Sequence, residues 1–521
     1  MGLLGSLLLF TQGLWPVQAA DRLEVEIDGV VLPITVEELG LWVRSGGRSR
    51  SELNTWLMLL DADSRAGLIR LLKAPVLTRR SFGQQMLRSW AARPLLDALG
   101  DLIRVEGAKG VRSQEVLTTL ERLLSKQASV STLDLLEALP NERLRLDLDA
   151  LVLAASRWRH QMQRHQVLTA QLASSTATAQ STSAELTSER DVSMRSMRLA
   201  ADHRPEGVRV QIWSPPPERS GSTSSWVVLM PGLGGDPEHF HWLARALASQ
   251  GWPVVVIGHP GSDAAAVQAL LDGRSPFVGA KALRQRLADL KSVLGAHRSD
   301  QLAIDAEEVV LVGHSLGALT ALLAAGAEPV NGLEERCQLA LKDLPLTNLS
   351  QLLQCELAAG EVLTPLPPST SLKAVVGLNS FGSLIWPSTP LGSLQTPLLL
   401  MGGTFDLITP PLSEQLALLG ALGNHPASRA VIVEGASHFS PVRVEGQAGN
   451  GRGDDLFQLG ENLVGIQPLA VQRQLAGELI QFLREVELGE SMGMSQHLHA
   501  GSIRWHRLNR DDAKRLVKDS Q

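Results

Sequence analysis

Read for the spacing of its apolar residues, the chain changes character twice. Residues 21–158 repeat leucines at three- and four-residue intervals, as from Leu117 to Leu124 and from Leu133 to Leu139, which predicts short helices that each bury one face. Ser45-Gly46-Gly47, Ala74-Pro75 and Leu139-Pro140 break the run, and Ser131 or Thr132 ahead of Asp134 is placed to cap a helix. Residues 159–192, with Ala173-Ser174-Ser175-Thr176 and Gln180-Ser181-Thr182-Ser183, carry few large apolar groups and read as a polar linker or solvated helix.

From residue 193 to 488 short β-branched runs alternate with longer helical ones, the pattern of parallel strands joined by crossover helices. The strands fall at Val208 to Ile212, Trp226 to Met230, Val254 to Ile257, Val309 to Val312, Ala374 to Leu378, Leu398 to Met401 and Ala430 to Val433. Helical spacing fits Pro237 to Ser249, Lys281 to Leu294, Leu316 to Ala325, Ser413 to Leu422 and Leu469 to Glu485. Runs such as VVLM and VVVI are apolar at every position, so both faces of the sheet are covered, and the fold class is α/β with a doubly wound, mostly parallel sheet. Residues 327–370 interrupt the alternation with a Leu-rich stretch that is either a helical lid inserted over the sheet or an ordinary long crossover. The last segment, 489–521, holds His497, His499, His506 and several Lys and Arg residues at no metal-ligand spacing, and is expected to be a mobile polar tail.

Composition narrows the function classes. With 521 residues two domains are expected, and a net charge of -6 lacks the basic footprint of a nucleic-acid binder. Residues 1–20 have a short apolar core and a small-residue end before Asp21, like a signal peptide cleaved near Ala19 or Ala20, although no Lys or Arg precedes the core. No later stretch reaches the roughly 18 uncharged apolar residues of a spanning helix, so export to a periplasm or an equivalent space is expected. Cys337 and Cys355 are the only cysteines: exported, they are free to pair as a disulfide, and otherwise they stay two thiols, with both outcomes open. They offer no thiol nucleophile near the residues assigned below and no zinc site.

The chemistry concentrates in Val309-Val310-Leu311-Val312-Gly313-His314-Ser315-Leu316-Gly317-Ala318, an apolar strand that runs through G-x-S-x-G into a helix. So sharp a turn holds a serine hydroxyl above the sheet in strained backbone geometry, and Gly313 and Gly317 leave room where side chains would collide. A serine needs a base, and this chain order calls for an acid and then a histidine downstream. Asp406 follows the strand Leu398–Met401 in Gly402-Gly403-Thr404-Phe405-Asp406, and His438 follows Ala430–Val433 in Gly435-Ala436-Ser437-His438-Phe439. His314, His425 and His239 compete for the base, but the first is expected to point away from its neighbour Ser315 and the others occupy helix or helix-end contexts. The oxyanion of an acyl-transfer intermediate would be held by the backbone N–H of Leu316 and by that of Leu233, in the glycine-rich turn Pro231-Gly232-Leu233-Gly234-Gly235. Such turns also hold phosphates, but no G-x-x-x-x-G-K-[ST] is present.

The set PGLGG, GHSLGA, GGTFD and GASHF resembles the α/β-hydrolase superfamily. With its N-terminal helical domain, the chain is similar to a group of exported bacterial, chiefly cyanobacterial, hydrolases related to dienelactone hydrolases and platelet-activating-factor acetylhydrolases. Gly258-His259-Pro260-Gly261-Ser262 resembles that group's loop beside the active site, whereas Pro231 stands where related oxyanion loops carry histidine. The resemblance implies hydrolysis of carboxylic esters, small-molecule or lipid, with no metal or organic cofactor; peripheral membrane contact is compatible with a lipid substrate. A cofactor-free haloperoxidase or an acyltransferase would use the same triad, and a binding or scaffolding protein with a decayed hydrolase domain is the non-enzyme alternative. Oligomeric state is not legible.

Overall fold

A computed structural model of the chain describes residues 22–27, 30–73, 75–78, 103–105, 113–139, 143–175, 179–180, 192–271, 274–342, 348–358, 371–387, 394–442 and 467–520. The expected signal peptide, residues 1–20, lies outside them, as does most of the linker after residue 175. The chain divides into two units, an N-terminal one ending at Ala155 and a C-terminal one from Ser156, with the boundary inside the helix Leu148–Ser174.

The expected helices of the N-terminal unit are present at Val36–Arg44, Glu52–Leu57, Ala62–Lys73, Ser113–Lys126 and Thr132–Ala138. Ser131 caps the last of them in a reciprocal capping box with Asp134. Trp42, Val43, Leu53, Leu57, Leu120 and Leu136 form its core, and the Trp42 indole donates to Asn54 Oδ1 at 3.1 Å. The unit is not all-helical, however. Arg22–Ile27 pairs with Val30–Thr35 and with Arg143–Asp147, which also pairs with Ile103–Val105, and a second small sheet joins Pro75–Thr78 to Ser129–Ser131. RLEVEI and RLRLD alternate with a period of two, a signal only five or six residues long and submerged in a Leu-rich background.

The C-terminal unit is built on one mixed sheet. Its strands are β1 (Ala179–Gln180), β2 (Ser193–Ala201), β3 (Arg204–Ser214), β4 (Ser225–Met230), β5 (Val254–Ile257), β6 (Glu308–His314), β7 (Leu372–Leu378), β8 (Leu398–Gly403), β9 (Arg429–Val433), β10 (Gln496–Ala500) and β11 (Ile503–Asn509). Among the described residues they lie in the order β1-β10-β11-β9-β8-β7-β6-β4-β5-β3-β2, with β5, β4, β6, β7, β8 and β9 all parallel. Alternate residues of each central strand enter two separate cores. Val228, Leu311, Val375, Leu400 and Ile432 pack with the helices Gly279–Arg298 and Leu316–Ala324; Val227, Val310, Val376, Leu399 and Val431 pack with His241–Ser249 and Pro468–Glu487. That double burial is why these strands are apolar at every position. Order reverses at β4, whose neighbours are β5 and β6, and in open α/β sheets such a reversal opens a crevice at the strands' carboxyl ends.

The expected mobile polar tail is corrected by the structure. Residues 496–509 form an antiparallel hairpin, β10 with β11, and β11 pairs with β9; the helix Arg510–Asp519 follows. The hairpin looked like solvent-facing sequence because its polar side chains are paired inside. Trp505 is 1% exposed and donates to Glu478 Oε1 at 2.7 Å, and Arg507 bonds both oxygens of Glu478 at 2.6 and 2.7 Å. Within residues 327–370, helices Leu333–Lys342 and Ser350–Ala358 are described and are joined by a Cys337–Cys355 disulfide, with Cα atoms 5.5 Å apart. Asn348, just ahead of the second helix, donates to the buried Glu414 at 2.6 Å.

Removing the large buried indole should leave a cavity and take one of the donors from Glu478, which keeps Arg507. Trp505→Ala is expected to destabilise the protein by about 3–5 kcal/mol, seen as a lowered midpoint in chemical or thermal denaturation; an unchanged midpoint would mean that the hairpin is dispensable.

Candidate active site

The turn after β6 is built by close backbone approach. A Cβ at Gly313 would strike the backbone of Gly317, and one at Gly317 would strike the backbone of Met230 in β4. Between the two glycines Ser315 takes φ 53° and ψ -117°, a conformation that a residue with a side chain adopts only when its surroundings enforce it. Its N–H donates to Leu378 O in β7 at 2.9 Å, so the serine is tied to the strand beside β6.

The structure brings Ser315, His438 and Asp406 into one chain of hydrogen bonds although the loops that carry them are far apart in sequence. Ser315 Oγ lies 3.1 Å from His438 Nε2, and His438 Nδ1 lies 3.0 Å from Asp406 Oδ2. The carboxylate can only accept, so Nδ1 carries the proton and Nε2 presents its lone pair to the serine. All three are shielded, at 7%, 6% and 0% exposure.

Asp406 is heavily solvated by protein. Oδ1 accepts the N–H groups of Ile408 and Thr409 at 2.8 and 2.7 Å; Oδ2 accepts Asn379 Nδ2 at 2.7 Å and Thr409 Oγ1 at 2.5 Å. Burial would raise this carboxyl, but His438 and the Thr409 hydroxyl and amide outweigh it and hold the group at about 2. It is therefore ionised throughout the neutral range. Asn379 and Thr409 escaped the sequence reading. Thr409 stands three residues after Asp406, and Asn379 follows directly on the strand expected at Ala374 to Leu378, so position was the available signal.

His314 does not simply point away. Its Nε2 meets the His438 carbonyl oxygen at 3.0 Å and its ring lies 5.0 Å from the His438 ring, bracing that residue. His239 instead bonds the Asp236 N–H at 3.0 Å within a capping box, and His425 bonds the Ala427 N–H at 3.1 Å. Leu316 opens the helix Leu316–Ala324, and Gly232, just before Leu233, packs so tightly that a Cβ there would come within 3.0 Å of Ser315 Cβ. Gly234 takes φ 74°, which a side chain would resist, and donates to Ser262 O at 2.8 Å. Among the described residues no three His, Cys, Asp or Glu side chains converge so as to hold a metal ion.

Fold and turn define a hydrolase of the α/β type. Residues 227–446 match the model of an alpha/beta hydrolase family, and residues 19–147 match that of an alpha/beta hydrolase of unknown function (DUF1400). The chain belongs to the alpha/beta-hydrolase superfamily. The second match ends where the strand Arg143–Asp147 ends, so it covers the N-terminal unit and stops at the connecting helix. No curated protein matches the chain.

Burial, with the neighbouring His438, pushes His314 down to about 3, and burial, with Arg286, does the same to His259. Both rings are neutral when folded, while the unfolded chain takes up these protons below its ordinary histidine value of 6.5. Their contribution is thus complete above pH 6.5 and drains away as pH falls towards 3. The denaturation midpoint is expected to fall over that window and to fall less steeply in His314→Gln; an equally steep slope in the variant would refute the assignment.

Proposed function

We propose that this hydrolase is a serine esterase that cleaves carboxylic esters through an acyl-enzyme on Ser315. The observation that carries the reading is the continuous Ser315–His438–Asp406 hydrogen-bond chain at the carboxyl end of the sheet. His438 Nε2 takes the hydroxyl proton as Ser315 Oγ attacks the ester carbonyl, and the resulting oxyanion sits at the N–H groups of Leu233 and Leu316. The tetrahedral intermediate collapses, His438 returns the proton to the leaving alcohol, and the acyl group stays on Ser315. Water, deprotonated by the same ring, then releases the acid and restores the serine. Asp406 keeps Nδ1 protonated and stabilises the imidazolium that forms in each half-reaction.

Apolar acyl groups suit this site. Phe405 and Leu407, on either side of Asp406, are 65% and 41% exposed, and apolar side chains turned outward beside a reaction centre favour a lipid or acyl ester, including contact with a membrane surface. Export is part of the proposal, supported by the leader-like residues 1–20 and by the Cys337–Cys355 disulfide, which persists in an oxidising compartment.

The test is hydrolysis of p-nitrophenyl esters of graded acyl length. Ser315→Ala is expected to lose at least about 10³-fold in kcat, and Asp406→Asn nearly as much, because the wrong tautomer then faces the serine. Wild-type protein as inert as Ser315→Ala, with folding verified, would move the reading to the decayed scaffold. Turnover that accelerates with an added alcohol or peroxide beyond hydrolysis would move it to acyl transfer or haloperoxidase chemistry.

A further inference from the structure

The helix Gly279–Arg298 carries a guanidinium that the triad does not use. Arg286 is 1% exposed, and among the described residues its bonds go to no carboxylate. One terminal nitrogen donates to the carbonyl oxygen of Pro231, the other to Ser262 Oγ at 2.8 Å, and Nε to Thr320 Oγ1 at 3.3 Å. These partners belong to three different segments: the glycine-rich turn after β4, the Gly258–Ser262 loop after β5, and the helix that begins at Leu316.

Each partner is one short step from a proposed oxyanion donor. Pro231 precedes Leu233 by two residues, and the next residue after Leu233, Gly234, donates to Ser262 O at 2.8 Å. Leu233 is therefore held between two fixed points that Arg286 links. On the other side Thr320, which accepts from Arg286, donates its own proton to Leu316 O at 2.7 Å. The same helix face, one turn on, presents Asp289, whose Oδ2 meets His259 Nδ1 at 2.9 Å and so pins the Gly258–Ser262 loop at its other end. Asp289 is itself occupied by Arg204 at 2.7 and 2.8 Å and by His203 at 2.7 Å.

We propose that Arg286 is a positioning residue that sets the spacing between the Leu233 and Leu316 amides and so tunes the oxyanion site of the serine esterase reading, on which this inference rests. Two amides from separate elements have no covalent reason to keep a fixed separation, and a rigid planar fork with several donors can hold both sides at once. Burial lowers the guanidinium to about 9, partly offset by Asp289, so it remains a cation at neutral pH and all its donors stay protonated. Small misplacements of such donors are expensive, since the removal of one costs about 10²–10³ in kcat.

The experiment compares wild type, Arg286→Met, Thr320→Val and Ser315→Ala on one p-nitrophenyl ester and on an aryl trifluoromethyl ketone, whose adduct with serine carries the oxyanion. Arg286→Met is expected to lower kcat about 10–100-fold with KM changed less than about 3-fold, and to weaken the ketone by a similar factor to kcat/KM. Thr320→Val, which keeps the side chain's shape, should shift both in the same direction by about 3–10-fold, and it carries the test alone if Arg286→Met does not fold. The proposal is overturned if the folded variants keep kcat and ketone affinity within about 2-fold, or if only KM rises. Wild type as inactive as Ser315→Ala overturns the esterase reading and this inference with it, an outcome distinct from an active wild type with indifferent variants.

Discussion

Everything in the C-terminal unit follows from how closely the helix Leu316–Ala324 approaches the sheet. With only hydrogen at Gly313 and Gly317, the helix backbone settles against Met230 and Gly313 at a distance no side chain permits. The chain has to reverse from strand to helix at one residue, and that residue is forced to positive φ. The strain is held by the neighbours: the Ser315 amide is bonded to β7, and β6 is hydrogen-bonded between β4 and β7. The serine hydroxyl thus stands clear of the sheet without relying on any contact of its own, and the parallel strands around it supply the loops that meet it.

Those loops are stiffened by satisfied polar groups. Asp406 can be fully buried and still ionised because five donors converge on its two oxygens, and His438 is held by Asp406 on one side and by His314 beneath its carbonyl on the other. Glu414 acts similarly, receiving the amides of Gly382 and Ser383 at 2.8 and 3.0 Å as well as Asn348. A buried carboxylate with too few donors would be destabilising; with this many it fixes loop geometry.

The parts of this arrangement that were legible in sequence share one property: their signal is contiguous. The central strands are continuous apolar runs, and Ser315, Asp406 and His438 each stand a few residues past such a run, so order along the chain sufficed to nominate them. The roles of His314 and Arg286 were silent because what defines them is a partner elsewhere, as with Arg286 and Pro231, 55 residues apart. The same reason hid the hairpin of β10 and β11. His506 is fully buried, but its Nδ1 and Nε2 are matched by His497 at 2.7 Å and Glu434 at 2.9 Å, and a polar residue satisfied in three dimensions looks solvent-facing in one. In the N-terminal unit the strands were too short for a period of two to stand out against the leucines.

The pairing of β11 with β9 has a consequence for biogenesis. Glu434, four residues before His438, donates its N–H to Arg504 O at 3.0 Å, and its carboxylate receives His506. A ribosome delivers Ser315, Asp406 and His438 before it delivers Ile503–Asn509, so the loop that bears His438 gains its neighbouring strand only later in synthesis. The last wall of the His438 loop is thus the last piece of the sheet to be made, a hairpin that shares no hydrogen bond with Ser315 among those of the described residues.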